Sequence, residues 1–231
     1  MRMTMGRHLA ALLLGTSMLI TGPALAQNSQ THDHNHDHGH DHAHDHDHDH
    51  AQVDPQIYAG YFKDDQVKDR PLSDYQGDWQ SVYPLLQDGT LDPVMAHKAE
   101  TGDKTAQDYR AYYDTGYKTD VHSIAIHGDQ VTFHKGDDTA TGTYRADGYK
   151  ILTYAKGNRG VRFIFRKTAG DAEAPAFIQF SDHGIAPGKA WHFHIYWGDD
   201  SDALLNELTN WPTYYPAQLT GAQIVDEMIA H

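Results

Sequence analysis

Apolar and polar positions divide the chain into three stretches. Residues 1–26 hold an apolar run from Leu9 to Gly15 that resumes at Met18-Leu19-Ile20, and no second long apolar run follows. Residues 27–50 have no apolar side chain larger than Ala43. From residue 51 onward the pattern is that of a folded body. Thr105 to Tyr117 spaces Tyr109, Tyr112, Tyr113 and Tyr117 three or four apart, which predicts a helix with those rings on its core side. Leu91 to Ala99 predicts a second helix, with Asp92 as N-cap and Pro93 at the first helical position. Gln56 to Phe62 reads as a helical turn or two, and Trp79 to Tyr83 as a short strand.

After Asp120 the period changes to two. The runs Val121–Ile126, Gln130–His134, Thr141–Arg145, Tyr149–Tyr154, Val161–Lys167, Ala176–Ser181 and Ala190–Trp197 are separated by Gly, Asp and Asn turns. Short strands at such regular spacing predict an antiparallel meander that closes into a barrel. Ser201–Leu208 and Thr220–Ala230 then read as helices capped by Ser201 and Thr220. The fold class expected is mainly β, an antiparallel β-barrel with additional α-helices.

Composition narrows the chemistry. The 231 residues include 32 Asp+Glu against 18 Lys+Arg, for a formal net charge of −14. A surface that displaces counterions from nucleic acid needs the opposite sign, so nucleic acid is excluded as a partner. With no cysteine, disulfides, thiolate metal sites, iron–sulfur clusters and cysteine nucleophiles are all excluded. Metal chemistry here must use imidazole and carboxylate. Histidine is the anomaly, at 19 residues.

The first stretch carries Arg2 and Arg7, then the apolar run, then Ala24-Leu25-Ala26. This is the layout of an export signal, with cleavage expected after Ala26. A membrane anchor needs a longer run, and this one is broken at Gly15-Thr16-Ser17 and Thr21-Gly22-Pro23. No twin arginine precedes it and no cysteine is available for lipid attachment, so the expectation is a soluble product in a bacterial periplasm, with no membrane insertion after cleavage.

The second stretch alternates histidine with aspartate. His32, His34, His36, His38, His40, His42, His44, His46, His48 and His50 are interleaved with Asp33, Asp37, Asp41, Asp45, Asp47 and Asp49. Such a segment cannot bury enough apolar surface to offset its ordering entropy, so a disordered tether is expected. Neutral imidazole is the commonest metal ligand, and adjacent carboxylates attract a dication, so the tail is expected to bind divalent metal ions. A purification tag would be uninterrupted histidine, and a merely solubilising tail would not need histidine. Each bound ion must order floppy chain, so binding here is expected to be weaker than at a preformed site. Setting aside the six tail Asp and the two leader Arg leaves 26 acidic and 16 basic residues, a net of −10, in the body of residues 51–231.

Within the body, Ile178-Gln179-Phe180-Ser181-Asp182-His183 leads through Gly184-Ile185-Ala186-Pro187-Gly188-Lys189 to Trp191-His192-Phe193-His194-Ile195. On a strand alternate side chains share a face, so His192 and His194 point one way, and Trp191, Phe193 and Ile195 the other. The Pro187-Gly188 reversal returns the chain and sets His183 beside that pair. Three imidazoles on a rigid hairpin match a tetrahedral zinc site with one position open for water, a carboxylate or a donor from the tail. His122 and His134 lie in opposite arms of a hairpin and can face each other; His97, His127 and His231 read as surface residues, and His8 leaves with the leader.

Five blocks carry a resemblance: Trp79-Gln80-Ser81-Val82-Tyr83-Pro84-Leu85-Leu86, Asp147-Gly148-Tyr149-Lys150-Ile151-Leu152-Thr153-Tyr154, Ile178 to His183, His192-Phe193-His194-Ile195, and Asn210-Trp211-Pro212-Thr213-Tyr214-Tyr215-Pro216. In order over residues 56–231, they resemble the ZinT (YodA) family of periplasmic zinc- and cadmium-binding proteins. The resemblance implies a lipocalin-like (calycin) β-barrel with added helices. It also implies a Zn2+ site at the barrel mouth on His183, His192 and His194, and transfer to the substrate-binding protein of a zinc ABC importer. Some members carry a barrel cysteine pair that this chain lacks, and the tail is longer and more regular than the family leads one to expect.

The function expected is therefore a non-enzymatic metal scavenger and chaperone. Two rivals share the residues. A zinc-dependent hydrolase or lyase would use the same open position to lower the pKa of bound water, although the sequence lacks His-Glu-x-x-His, Gly-x-Ser-x-Gly, Gly-x-Gly-x-x-Gly and P-loop motifs. A lipocalin-type carrier needs a roomy apolar interior, which Tyr144, Tyr154, Phe163, Phe165 and Phe177 can fill instead.

Overall fold

The computed structural model describes residues Asp54 to Ala230. The leader, the histidine tail with its ten imidazoles, and His231 lie outside the described residues. Among the described residues, eight antiparallel strands close into a barrel in simple sequence order, β1 pairing with both β2 and β8. These are β1 (Gly77–Ser81), β2 (Ser123–His127), β3 (Gln130–Lys135), β4 (Asp138–Thr153), β5 (Arg159–Gly170), β6 (Phe177–Ser181), β7 (Phe193–Gly198) and β8 (Thr213–Pro216). The helices are α1 (Pro55–Tyr58), α2 (Tyr83–Gln87), α3 (Asp92–Thr101), α4 (Ala106–Tyr117), α5 (Ser201–Leu205) and α6 (Gly221–Ala230). None of these helices is long and apolar enough to cross a membrane.

Alternation along the strands builds the interior. Ile124 and Ile126 of β2, Val131 and Phe133 of β3, and Phe193 and Ile195 of β7 join one buried cluster with Trp79, Phe163, Phe165, Phe180 and Tyr214. Tyr75, Phe180 and Phe193 interlock there, Tyr75 stacking on Phe180 at 4.2 Å and Phe193 meeting Phe180 edge-on at 4.9 Å. Interior aromatics fill the barrel, although only Tyr144, Phe163 and Phe165 of the five expected are among them. Phe177 and Tyr154 are half-buried elsewhere. A second core forms outside the wall, where Leu86, Val94, Met95, Tyr117, Ile224 and Met228 from α2, α3, α4 and α6 pack with Tyr215.

Several expected boundaries are corrected. The runs at Thr141–Arg145 and Tyr149–Tyr154 are one strand, β4, and Asp147-Gly148 is a bulge where the register against β5 shifts between Ala146 and Tyr149. Gly148 takes φ 84°, a conformation glycine adopts without penalty. The β7 run starts at Phe193 rather than Ala190, because the Ala190 N–H is spent on the Asp74 carbonyl. Tyr83 begins α2 instead of ending a strand. The N-cap of α3 is Leu91, not Asp92, whose carboxylate pairs with Arg110 at 2.6 Å; the cap of α5 is Asp200, whose carboxylate accepts from the Asp202 and Ala203 N–H groups. Helix α5 ends at Leu205 rather than Leu208. On α4, capped by the Thr105 hydroxyl, Tyr117 is buried but Tyr112 is 49% exposed and leans on Trp211.

Candidate metal centre

Strand β7 turns Phe193 and Ile195 into the barrel, so His194 faces outward from the wall. Its backbone is paired on one side with Ser181 of β6 and on the other with Thr213 of β8. His192 directly precedes the strand, and His183 lies two residues beyond the end of β6. The three expected residues are brought together: one ligand nitrogen from each of His183, His192 and His194 lies within 4.8 Å of the others. Their ring centroids form a near-equilateral triangle with sides of 5.8, 6.0 and 5.8 Å. A tetrahedral ion with nitrogen bonds near 2.1 Å spaces its ligand atoms by about 3.4 Å, so small rotations of these side chains are enough to close on one.

Two of the rings are oriented by protein acceptors. The Thr213 hydroxyl donates to the Trp211 carbonyl at 3.0 Å, so its oxygen accepts from His194 Nδ1 at 2.7 Å and the proton resides on Nδ1. His183 Nδ1 lies 3.2 Å from the Tyr58 carbonyl, which can only accept. Both Nε2 atoms therefore keep their lone pairs for an ion. Stacking fixes the planes: His183 lies on the Tyr58 ring at 4.3 Å and His192 on the Tyr215 ring at 5.1 Å. Burial, and then the neighbouring His192, His183 and Arg162, push the His194 pKa well below its ordinary 6.5, so this imidazole stays neutral in mildly acidic medium.

The reversal between β6 and β7 is held from a distance. His183 has φ 65°, a left-handed conformation rare for a residue with a side chain and costing on the order of 1 kcal/mol. Next to it, Asp182 binds the buried Arg70, whose Nη1 reaches Asp182 Oδ1 at 2.5 Å and whose Nε reaches Asp74 Oδ2 at 2.9 Å. Arg70 Nη2 donates to the Gly188 carbonyl, and Asp74 accepts from the Gly188 N–H. One guanidinium thus ties both ends of the loop to the segment before β1. On the other side, Gly60 brings α1 against β5: its carbonyl accepts from the Arg159 N–H at 2.9 Å, and a Cβ there would sit 2.5 Å from the Arg159 carbonyl.

Sequence reasoning did not find Tyr58, Arg70, Asp74, Thr213 or Arg162. Thr213 had a usable signal, since it lies in a quoted block, but its role depends on pairing across β7 and β8. The remaining histidines fall elsewhere. His122 Nδ1 accepts from the Gly136 N–H, so the expected facing with His134 is replaced by a backbone contact, His122 N–H to the His134 carbonyl. His127 pairs with Asp78 and His97 with Glu100 on the exposed surface. Among the described residues, the cluster with metal-ligand spacing is the His183, His192, His194 triad.

Known proteins share this chain's sequence and fold. The Bacillus subtilis protein described as probable metal-binding protein YrpE is 58% identical over 177 residues, covering 76% of this chain and 70% of its own. The zinc-binding lipoprotein AdcA of Streptococcus pneumoniae is 52% identical over 183 residues, which are 78% of this chain but 36% of AdcA, so the chain spans about a third of that relative. The crystal structure of the Zn(II)-bound ZinT-like domain of that AdcA superposes with a TM-score of 0.73 at 52% identity, covering 75% of this chain and 97% of the domain. A family model described as periplasmic lipocalin-like zinc-recruitment matches residues 53–231, and on that match the chain belongs to the ZinT (YodA) family.

Proposed function

We propose that this protein binds Zn2+ through His183, His192 and His194, captures it in the periplasm behind the cleaved leader, and passes it to the substrate-binding protein of a zinc ABC importer. The observation that carries the reading is the triangle of imidazoles, two of them tied at Nδ1 so that Nε2 is the nitrogen left for an ion. Zinc takes four ligands, so three histidines leave a position at which an incoming donor can bind before the old ligands let go. That suits transfer. The same nitrogen set accepts cadmium and other borderline divalent ions. AdcA, a zinc-binding protein whose ZinT-like domain has been solved with zinc, supports the choice of metal.

The tail ends at His50, four residues before the described body begins. A donor tethered that closely acts at an effective concentration on the order of millimolar, so ions collected by the ten tail histidines reach the triad without passing through bulk solvent. Competition titration with a zinc chelator tests the assignment. Changing His183, His192 and His194 together to Ala abolishes the tight one-ion phase and leaves the weaker multi-ion phase of the tail; a tight phase that survives overturns it.

A further inference from the structure

Across the outer face of the wall, one rank of residues runs from strand to strand. Ser181 pairs with His194 and His194 with Thr213, while the Phe163–Phe180 pairing puts Arg162 of β5 next to Ser181. Arg162 is thus two strands from His194, about 10 Å between α-carbons, within the span of its own side chain. Both residues line the same cavity of about 320 Å³, together with His183, Ser181, Tyr154 and Tyr196.

Arg162 is 1% exposed, and among the described residues its guanidinium forms no ion pair, the Glu207 carboxylate attracting it without contact. Its Nη2 donates to the Glu207 carbonyl and its guanidinium lies over the Tyr196 ring with Tyr154 beside it, but Nε and Nη1 have no hydrogen-bond partner. Burial, before any other cause, lowers its pKa from the ordinary guanidinium value, and burial pushes the Tyr196 phenol up to about 12, so the ring supplies no negative charge. The Glu207 carboxylate is engaged by the Thr209 hydroxyl and the Thr209 and Asn210 N–H groups. A buried cation with two idle donors is costly unless something satisfies it. Adding a dication on three neutral imidazoles makes the local excess of positive charge larger still.

We infer that the cavity takes up a carboxylate-type oxyanion, which fills the open coordination position on the metal with one oxygen and receives hydrogen bonds from Arg162 Nε and Nη1 with the other. The planar fork of a guanidinium matches a carboxylate edge-on, and an anionic fourth ligand offsets the charge of both cations. Metal capture and anion uptake are then one linked event, and removing the anion loosens the ion. The ligand with this chemistry is a small free carboxylate or bicarbonate. The inference rests on the three-histidine reading.

The test is zinc affinity by chelator competition, at fixed ionic strength in a non-coordinating buffer, with sodium acetate raised stepwise from zero. It uses the full chain and a full chain with the six tail Asp changed to Asn. In the Asn chain, acetate tightens zinc about tenfold, within the usual range of coupling between two ligands. Wild type follows acetate equally; high affinity in wild type without acetate, lost in the Asn chain, overturns the free-anion ligand. Zinc affinity independent of acetate in both chains, and equal between them, overturns the inference. Arg162→Gln abolishes the acetate dependence, and a dependence retained there also overturns it. Should that variant fail to fold, the Arg162 Nε–H resonance of the zinc-loaded wild-type chain is followed as the anion is introduced, and a resonance that does not move is the contrary result. If no tight zinc phase is found even with the triad intact, the parent assignment fails instead, and the two failures are distinct.

Discussion

Thr213→Val isolates the orientation of one ligand. Thr213 is 2% exposed, and its hydroxyl is a relay: it accepts from His194 Nδ1 at 2.7 Å and donates to the Trp211 carbonyl at 3.0 Å. Valine has the same shape and stays in the barrel wall, so packing is retained while both hydrogen bonds vanish. Two consequences follow. The His194 ring loses the partner that fixes its tautomer, and loss of such an outer partner typically lowers metal affinity about 10–100-fold, or about 1.4–2.7 kcal/mol. The metal-free fold also weakens, because a buried Nδ1–H and a buried carbonyl are stranded at about 1–3 kcal/mol each. Zinc competition at 25 °C, well below the unfolding transition, reads the first effect, and urea unfolding of the metal-free protein reads the second. Thr213→Ser keeps the hydroxyl and should remain within a few-fold of wild type in affinity. If the valine variant binds zinc within twofold of wild type while folded, the relay does not orient the ligand and the argument for His194 Nε2 falls.

Three further outcomes come from the same geometry. Arg70→Met strands Asp74 and Asp182, 12% and 5% exposed at their side chains, which costs about 3–5 kcal/mol; calorimetry should find the melting temperature lower by roughly 10 °C, and Arg70→Met with Asp182→Asn should recover part of it. Because the His194 pKa is lowered in the fold by burial and by its neighbours, the unfolded chain binds the extra proton first; metal-free stability is therefore full above pH 6.5 and declines as pH falls below it. Urea midpoints at pH 7, 6 and 5 check this, alongside the His194 ring resonance, which should still be that of neutral imidazole at pH 6. Gly116→Ala places a methyl 2.4 Å from the Trp211 ring, displacing a residue whose backbone N–H donates to the Gly116 carbonyl and whose backbone carbonyl accepts from the Thr213 hydroxyl; a loss of about 1–3 kcal/mol is expected in thermal melts, with weaker zinc binding beside it.

The barrel was legible where alternation is clean. Ile124 and Ile126, Val131 and Phe133, and Phe193 and Ile195 each lie two apart with a smaller or polar residue between, and each pair faces the interior. Strand β8 escaped notice, because Thr213-Tyr214-Tyr215-Pro216 is too short for a period and prolines at 212 and 216 argue against a strand, although both sit where no ladder donor is needed. The β4 bulge escaped because Asp-Gly is the strongest short turn signal, and only pairing with β5 over the whole length of the strand overrides it. Tyr112 misled in the other direction: its spacing is that of a core stripe, yet Trp211 gives it a partner at the rim.

The histidine triad and its support differ in legibility for one physical reason. His192 and His194 are set by the period of a single strand, and His183 by the turn just before it, so all three lie within a dozen residues and local rules reach them. Arg70 meets Asp182 across 112 residues and Tyr58 meets His183 across 125, separations at which no spacing rule operates; such contacts exist only because the barrel has closed. Closure also explains Arg162. On an isolated strand, an arginine between Val161 and Phe163 reads as the solvent side of the alternation, but here α5 and the segment after it cover that side, and the charge is trapped against the metal cavity. The sequence therefore places the three histidines proposed as ligands, whereas the groups that hold their tautomers, their loop and their surrounding charge are products of the tertiary fold.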